Sequence, residues 1–531
     1  MQVGWSHVIW RAVVPMVAFV FVGWSWAFAS PVGSSADEDF HLTSTWCAWS
    51  DHESCVGTET AGVVLVPQKV AQANCFATEV NARCTRLLTD ELVESSRINS
   101  STGGYPPIFY TVMRAFVGPD VVRSVLVMRM VNVLVAAVLL GLALAITPVI
   151  IRRAVAVLWM VTLIPVGVFF IASVSPSSWA ITGLGLFWAF LWAAVRLPKH
   201  ARGQRVGSAL LAVVALVLAL GARADAVYVA ALSVLVVLVM EFRRVRSAFT
   251  PLWLAVGLGL FALALGALAW IFRIGNYLTQ YSLTFPSGNA EADQPNPVVK
   301  TLLELPAFVA GIFGGQEPWT QREGDSDWDA AGYSWHGFSY GVGALNVINP
   351  SIAAVLAGAS VAGVVFVGLG RYGKRKLVAL SVLGVAFVAQ IIVMRALVGF
   401  GAGWSGGIQW AIQPRYLLPL AMVTVAVAVV SFPATRPFLS RAQVALLAMA
   451  LSVAAVTSLM ATTARYVHGQ DRSWLQFAPE EGWWWSWSPS PTVHIVLGGI
   501  AVVVYMSTMA LAAREVSSPE ALRTNVGRHA R

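Results

Sequence analysis

The sequence predicts an all-α integral membrane protein with about twelve transmembrane helices. Of its 531 residues, 57% are hydrophobic and only 11% are charged, and the mean hydropathy is +0.70. Soluble proteins carry about 25% charged residues. Apolar runs of about 17–25 residues recur along the chain, each long enough to cross a hydrocarbon core of about 30 Å. The twelve predicted spans lie near 8–29, 121–148, 154–173, 178–195, 206–222, 224–241, 249–273, 346–370, 377–398, 411–431, 441–463 and 493–513.

The distribution of charge predicts the orientation of these spans. A net charge of +9 could indicate nucleic-acid binding. The basic residues cluster instead in short loops between apolar runs, which is typical of the cytoplasmic side of a membrane protein and argues against a nucleic-acid partner. The predicted location is the bacterial plasma (inner) membrane, crossed several times, with both termini cytoplasmic. The cytoplasmic clusters are Arg152-Arg153, Arg196 to Arg205, Arg243 to Arg246, Arg371 to Lys376, and Arg436 with Arg441.

One further apolar segment, residues 298–315, contains Glu304 and Pro306. We interpret it as an interfacial or re-entrant helix, because counting it as a span would move the later basic loops to the opposite side. The first span resembles a signal peptide, but it lacks a basic start and is too long for one. We expect it to stay attached.

The whole chain, 1–531, is read as one transmembrane domain with three long extracytoplasmic loops. These loops are residues 30–120, 274–345 and 464–491, and the polar tail over 514–531 is expected to be cytoplasmic. The first loop is too long for a connector and is expected to carry function. Within it, an apolar stripe among charges predicts a helix over 78–97.

All four cysteines, Cys47, Cys55, Cys75 and Cys84, lie in that first loop. An even set on the extracytoplasmic side predicts disulfides, with three pairings open. Cys47–Cys55 with Cys75–Cys84 is preferred because both close short local loops. Metal ligation is the alternative, although the spacings do not form CxxC pairs.

An acidic cluster with a histidine follows the first span directly: Asp37, Glu38, Asp39 and His41. If this segment is helical, Asp37 and His41 share a face, and Asp37 can hold the imidazole or a metal ion. A carboxylate at a membrane surface can also act as a general base on an attacking hydroxyl. The alternative is a solvated helix cap without chemistry.

Arginines inside predicted spans form the second group of candidate residues. Arg129 and Arg415 lie within apolar runs, where a charge generally implies a partner or a polar cavity. Arginine suits a multidentate grip on phosphate, and Tyr416 follows Arg415 directly. The alternative for both arginines is a structural role, with the side chain reaching the headgroups. In the tight turn after residue 222, Arg223 and Asp225 are interpreted as neutralising each other.

Aromatic residues at the predicted interface complete the candidate set. Tyr105 and Tyr110 flank a Pro-Pro pair that opens a short helix before the second span. Trp484 belongs to a tryptophan cluster in the last loop. Tryptophans at this depth usually form an interfacial belt, and sugar stacking is the alternative.

Several short motifs together carry a family resemblance. They are Asp37-Glu38-x-x-His41, Tyr105-Pro106-Pro107-x-x-Tyr110, Gln413-Pro414-Arg415-Tyr416-Leu417-Leu418-Pro419, Arg465-Tyr466 and Gly482-Trp483-Trp484-Trp485. On these motifs the chain resembles the GT-C superfamily of polytopic glycosyltransferases, and within it the bacterial membrane-protein family catalogued as domain of unknown function 2142. The sequence departs from the family pattern at Ser175-Pro176-Ser177, where Asn-Pro-Asp is usual, and at Pro414, where a glycine is expected.

The resemblance implies a GT-C-like bundle and a polyprenyl-phosphate-linked sugar as donor. It implies that Asp37 is the catalytic base and that Glu38 is its neighbour or a metal ligand. A divalent cation, Mg or Mn, is left open as a cofactor. The expected partners are the lipid-linked donor, a cell-envelope glycan acceptor and membrane lipid. The alternative functions are a transporter or flippase of a lipid-linked glycan, and a catalytically silent envelope-assembly subunit.

Overall fold

The computed structural model describes residues 9–49, 53–77, 82–99, 105–163, 165–242, 244, 347, 350–370, 373–399, 414–430, 435–469, 483–485 and 487–516. Within these ranges the protein is a helical bundle with one small sheet. Eight of the described helices are long and apolar enough to cross a membrane, and two shorter apolar helices pack among them. The predicted number of twelve spans is therefore not confirmed. The segments 249–273 and 274–345, including 298–315, lie outside the described residues.

The elements are numbered in chain order. The helices before the first basic loop are α1 (Val14–Phe28), α2 (Glu38–Trp46), α3 (Gln68–Ala71), α4 (Ile108–Met113) and α5 (Val121–Ile146). They are followed by α6 (Val149–Val161), α7 (Val166–Ile171), α8 (Pro176–Arg196), α9 (Arg202–Ala222) and α10 (Ala226–Met240). The later helices are α11 (Ser351–Leu369), α12 (Lys374–Gly399), α13 (Pro414–Val430), α14 (Arg441–His468) and α15 (Pro491–Ala513).

The third predicted span, 154–173, is wrong as a single helix. The chain forms α6 and then, after a break, the short helix α7, which begins directly after Pro165. Proline has no N–H to donate, and its ring would clash with the carbonyl of residue 161 in a continued helix. The periodicity of apolar residues does not reveal this break, because every residue of α7 and of α6 from Arg153 to Val161 is buried.

Helix α8 lies at the centre of the bundle and packs along α9. A side chain at Gly183 of α8 would collide with the backbone oxygen of Ala215 and with Ala219 of α9. The small residues let the two backbones approach closely, which is a common mode of helix association in membranes.

A three-stranded antiparallel sheet lies in the first loop, with β1 (Val56–Gly57), β2 (Val64–Pro67) and β3 (Leu92–Ser95) in that order. The helix predicted over 78–97 is therefore wrong at its C-terminal end, since β3 pairs with β2 from Val64↔Ser95 to Pro67↔Leu92. Pairing with β2 satisfies the backbone hydrogen bonds of β3. This tertiary contact overrides the local apolar pattern, which favours a helix.

Disulfide Cys47–Cys55 lies just before β1, and disulfide Cys75–Cys84 lies between β2 and β3, so the preferred pairing is confirmed. We call residues 47–95, which contain both disulfides, the disulfide segment. The end of the helical bundle that this segment covers is called the disulfide end. Phe76 packs edge-on against Tyr466 at the end of α14, with ring centroids 5.1 Å apart. Arg86 donates to the backbone oxygen of Trp483. These contacts hold the segment against the end of α14, and Ala73 of the segment lies against Gly33 in the turn that follows α1.

Candidate functional site

The candidate site is built on the turn between α1 and α2. Asp37 has a φ of 62°, in the left-handed region that aspartate tolerates better than most residues. Its backbone oxygen accepts from His41 N, and the Glu38 carboxylate accepts from Ser35 N. These bonds close the turn at Asp37, and α2 starts at Glu38.

Each of the three consecutive acids meets a different arginine. The partners come from three separate parts of the chain: the residue after the sheet, the membrane helix α5 and the start of α13. The pairs are Asp37–Arg415 at 3.1 Å, Glu38–Arg129 at 2.9 Å and Asp39–Arg97 at 2.5 Å.

The Glu38–Arg129 pair is fully buried, with both side chains at most 1% exposed. The Glu38 carboxylate also accepts from Val174 N at 3.0 Å. Arg129 donates to the backbone oxygens of Ala27, Ser30 and Pro31 at 2.7–2.9 Å. A buried ion pair is stable only when further hydrogen bonds satisfy it, as they do here. This geometry fixes the turn and favours a structural role for both residues.

The Asp39–Arg97 pair connects the turn to the disulfide segment, because Arg97 follows β3 closely. The Asp39 side chain is 5% exposed, whereas that of Arg97 is 53% exposed. Arg97 also lies 3.4 Å from Asp37. Burial lowers the pKa of Arg97, but the charges of Asp39 and Asp37 outweigh it and raise that pKa above its ordinary value.

The Asp37–Arg415 pair differs from the other two because its acid is reachable. Arg415 is 1% exposed, whereas the Asp37 side chain is 45% exposed. Arg415 also donates to the Ala36 oxygen at 3.2 Å and to the Tyr416 hydroxyl at 2.9 Å, and its guanidinium lies 4.9 Å from the Phe170 ring centre. The arginine is thus held rigidly while the carboxylate faces solvent.

The pKa of Asp37 lies below its ordinary value of 3.8. Partial burial alone would raise this pKa, but the charges of Arg415 and, to a smaller extent, Arg97 lower it. Asp37 is therefore ionised at neutral pH.

His41 lies beneath the acids, 1% exposed, with Nδ1 hydrogen-bonded to the Tyr110 hydroxyl at 2.9 Å. The Tyr105 ring packs edge-on against the imidazole, with centroids 5.1 Å apart. Burial lowers the pKa of His41 to about 3, although Asp37 opposes the shift. Burial also raises the pKa of both tyrosines. All three side chains are therefore neutral at physiological pH.

A metal ion is not favoured by these side chains. Glu38 and Asp39 are already paired with arginines, and no group of three or more His, Cys, Asp or Glu side chains among the described residues is arranged to hold a metal. Among the described residues, the donor set at the turn does not fit a divalent cation.

A pocket adjoins Arg415 on the side of α8, α10, α12 and α13. Its cavity volume is about 10 Å³, room for about one water molecule. Arg223 chelates Asp225 at 2.8 and 2.7 Å, and its guanidinium lies 4.5 Å from the Tyr416 ring centre. The polar and aromatic residues that line the pocket are Ser177, Arg223, Asp225, Gln390, Arg415 and Tyr416.

The structure brings most of the predicted site residues together. Asp37, Glu38, Asp39, His41, Tyr105, Tyr110, Arg129, Arg415 and Tyr416 surround the turn and the adjoining pocket. Trp484 instead packs against Tyr466 and Trp483, with ring centroids 6.0 and 4.5 Å away.

Sequence reasoning missed Arg97, Arg223 and Gln390 as parts of the site. Gln390 carried the clearest signal, since it is a polar side chain inside an apolar span. Arg223 joins two spans, and its ion pair with Asp225 was foreseen without its place in the pocket. No sequence pattern indicated Arg97, because its place beside Asp39 depends on the sheet, which the sequence analysis did not predict.

The bundle and its candidate spans define a multi-pass membrane protein. A family model described as Predicted membrane protein (DUF2142) matches residues 19–424, and the chain belongs to that family. No curated protein and no solved structure matches the chain. The matched residues include all three acids of the turn and the arginines that pair with them.

Proposed function

We propose that the protein is a membrane glycosyltransferase that moves a sugar from a polyprenyl-phosphate donor to an envelope glycan or lipid-linked acceptor. The observation that carries this proposal is the Asp37–Arg415 pair, in which a solvent-accessible carboxylate is anchored by a buried arginine. A base and a phosphate ligand are the two groups that such a reaction needs side by side.

In the proposed reaction, Asp37 removes the proton from an acceptor hydroxyl. The freed oxygen forms a bond to the anomeric carbon, and the bond from that carbon to the phosphate oxygen breaks. The electron pair leaves with the polyprenyl phosphate, so negative charge develops on the departing phosphate. Arg415 is placed to stabilise that charge.

Because Arg415 contacts both Asp37 and the substrate phosphate, the basicity of Asp37 depends on whether the donor is bound. In the free protein the guanidinium lowers the pKa of Asp37. A bound phosphate partly neutralises Arg415, and the pKa of Asp37 rises toward its ordinary value. The carboxylate is therefore a better base with donor bound than without it.

In the proposed membrane orientation, the disulfide end of the protein lies outside the cytoplasm. Two disulfides lie at that end, and disulfides persist in oxidising compartments. The opposite end carries Arg152, which pairs with Glu515, and Arg153, which donates to the Arg436 oxygen. Basic residues gathered at one end support a cytoplasmic position for it.

The alternative of a transporter is less well supported. Transporters place ionisable substrate sites near the middle of the membrane, often on broken helices. Asp37 and Arg415 lie instead at the ends of α2 and α13, beside the disulfide segment.

A deletion strain tests the proposal. We expect mass spectrometry of its envelope glycans to show a missing or shortened glycan, restored by the wild-type gene but not by Asp37→Asn. Asp120→Asn is the matched control, since Asp120 caps α5 at the same end and asparagine caps equally well. Unchanged glycans in the deletion strain, or full rescue by Asp37→Asn, would contradict the assignment.

A further inference from the structure

Arg114 is a buried cation at the disulfide end. It follows α4 directly and is 5% exposed. Its Nε has no hydrogen-bond partner, and within the described ranges no acid pairs with the guanidinium. Burial therefore lowers the pKa of Arg114, and no neighbouring charge among these residues opposes the shift. A buried charge is normally paired, so Arg114 points to an anion that binds from outside the chain.

The ring of Trp49, which lies shortly after α2, forms one side of this site. The guanidinium carbon of Arg114 lies 5.7 Å from the ring centre. The indole N–H donates to the backbone oxygen of Thr111 at 2.9 Å, which holds the ring against α4. Trp49 nevertheless remains 50% exposed. The site is thus built from two separate segments of the chain and opens to the protein surface beside this ring.

The position of α4 indicates the depth of the site in the membrane. Ile108 of α4 packs on Gly221, at the end of the candidate span α9. The candidate span α5 begins at Val121, soon after Arg114. The side chains of Ile108 and Val112, one turn apart on α4, are 45% and 42% exposed. An exposed apolar face beside the ends of two spans is expected where the hydrocarbon core meets the headgroups.

The two spans beside α4 expose apolar side chains along their lengths. These include Val127, Leu134 and Val138 of α5, and Val213 and Val217 of α9. Such side chains suit acyl chains, whereas an arginine suits the oxygens of a phosphate, to which it can donate two parallel hydrogen bonds. A ligand that carries both a phosphate and acyl chains matches the whole surface.

We propose that Arg114 binds the phosphate of a membrane phospholipid, whose headgroup lies beside Trp49 and whose acyl chains lie along α5 and α9. Among the described residues no carboxylate lies beside Arg114, so the site offers a phosphate no general base, which favours a resident lipid over a reacting donor. The proposal goes beyond the transfer reaction and does not depend on it. Since Tyr110 of α4 bonds to His41 at 2.9 Å, a bound phospholipid would also hold this helix against the acidic turn.

The test is native mass spectrometry of the full chain in detergent. The protein is titrated with dioleoylphosphatidylglycerol or with dioleoylglycerol, which has the same acyl chains and no phosphate. We expect wild-type protein to bind the phospholipid about tenfold more tightly than dioleoylglycerol, and Arg114→Gln to lose that preference. Equal affinity of wild type for the two lipids, or a preference that is unchanged in Arg114→Gln, would overturn the proposal.

Arg123→Gln is the matched control. Arg123 lies near the start of α5, at the same end of the bundle, but its side chain is 74% exposed and lies 3.4 Å from Asp120. The substitution removes the same charge from the same end without touching the buried site, so we expect the wild-type preference. A loss in Arg123→Gln as large as that in Arg114→Gln would assign the effect to surface charge in general and overturn the role of Arg114.

A second arm uses only wild-type protein and so does not depend on the folding of a variant. Phosphatidylglycerol with a photoreactive group on its headgroup should label residues 108–116, as read by peptide mass spectrometry. Labelling that leaves these residues unmodified would overturn the proposal. Decaprenyl phosphate and inorganic phosphate are added as competitors, and we expect the label to persist. Displacement by either one at an equal concentration would identify a donor site or a free-phosphate site and overturn the assignment to a phospholipid.

Discussion

Arg415 donates from Nη2 to the Asp37 carboxylate at 3.1 Å, across 378 residues of chain. The arginine is 1% exposed and the carboxylate 45% exposed. The pair therefore joins the start of α13 to the turn after α1 and leaves one acid open to solvent. The proposed transfer reaction depends on this relationship.

The first prediction concerns the pH dependence of transfer. Asp37 has a depressed pKa, so wild-type activity should stay flat as the pH falls to about 5 and should decline only as Asp37 takes up a proton below its ordinary value of 3.8. Removing a cation raises this pKa and moves the decline to higher pH. Arg97→Gln should shift the decline less than Arg415→Gln, because Arg97 contributes less to lowering the pKa. The measurement is the initial transfer rate of each variant against pH, and identical profiles would contradict the ranking.

The second prediction concerns the buried pair Glu38–Arg129. Glu38→Gln leaves the Arg129 charge uncompensated in the protein interior, which should destabilise the fold by about 3–5 kcal/mol. The double variant Glu38→Gln with Arg129→Met should recover part of that loss, because no buried charge remains. Thermal unfolding in detergent measures both. A double variant less stable than Glu38→Gln would show that the arginine stabilises the fold through its carbonyl contacts rather than through charge.

The membrane class and the disulfides could be predicted from sequence for simple physical reasons. Long apolar runs are stable only in lipid, and the preferred disulfide pairing is the one in which both bridges close short local loops. The distribution of basic loops predicts that Asp37 and Arg415 lie on the same side of the membrane, since both are at ends of predicted spans. It does not predict the ion pair between them, which depends on how α13 packs beside the turn.

The details that sequence missed all depend on tertiary contacts. Pro165 breaks a span that looks continuous, since apolar periodicity cannot separate two buried helices from one. The sheet that positions Arg97 forms through pairing of β2 with β3, and nothing in the local pattern near Leu92 indicates it. Gln390 faces a pocket only because α12 packs against α13 in this register.

The third prediction concerns stability against pH. The pKa of buried His41 is about 3, against an ordinary value of 6.5. Between these values the unfolded chain binds a proton and the folded chain does not, so stability is fully present above about pH 6.5 and is lost as the pH falls toward 3. The melting temperature of wild type should therefore fall more steeply from pH 7.5 to 4.5 than that of His41→Asn. Parallel curves would contradict the assignment of the neutral, buried imidazole.

The fourth prediction concerns the disulfide segment. Replacing both Cys75 and Cys84 by serine removes a short closed loop and should destabilise the fold by about 2–3 kcal/mol. The same change loosens Phe76, which packs on Tyr466. Limited proteolysis and thermal unfolding with and without reductant measure the effect. A variant as stable as wild type under oxidising conditions would contradict it.

The most direct measurement is transfer of a radiolabelled sugar from a polyprenyl-phosphate donor by purified protein, comparing wild type, Asp37→Asn and Asp120→Asn. Asparagine keeps the shape of Asp37 but cannot take a proton, so we expect the rate to fall by about 10²–10⁴-fold, while Asp120→Asn retains it and both variants fold normally. Transfer by Asp37→Asn at the wild-type rate would contradict the account.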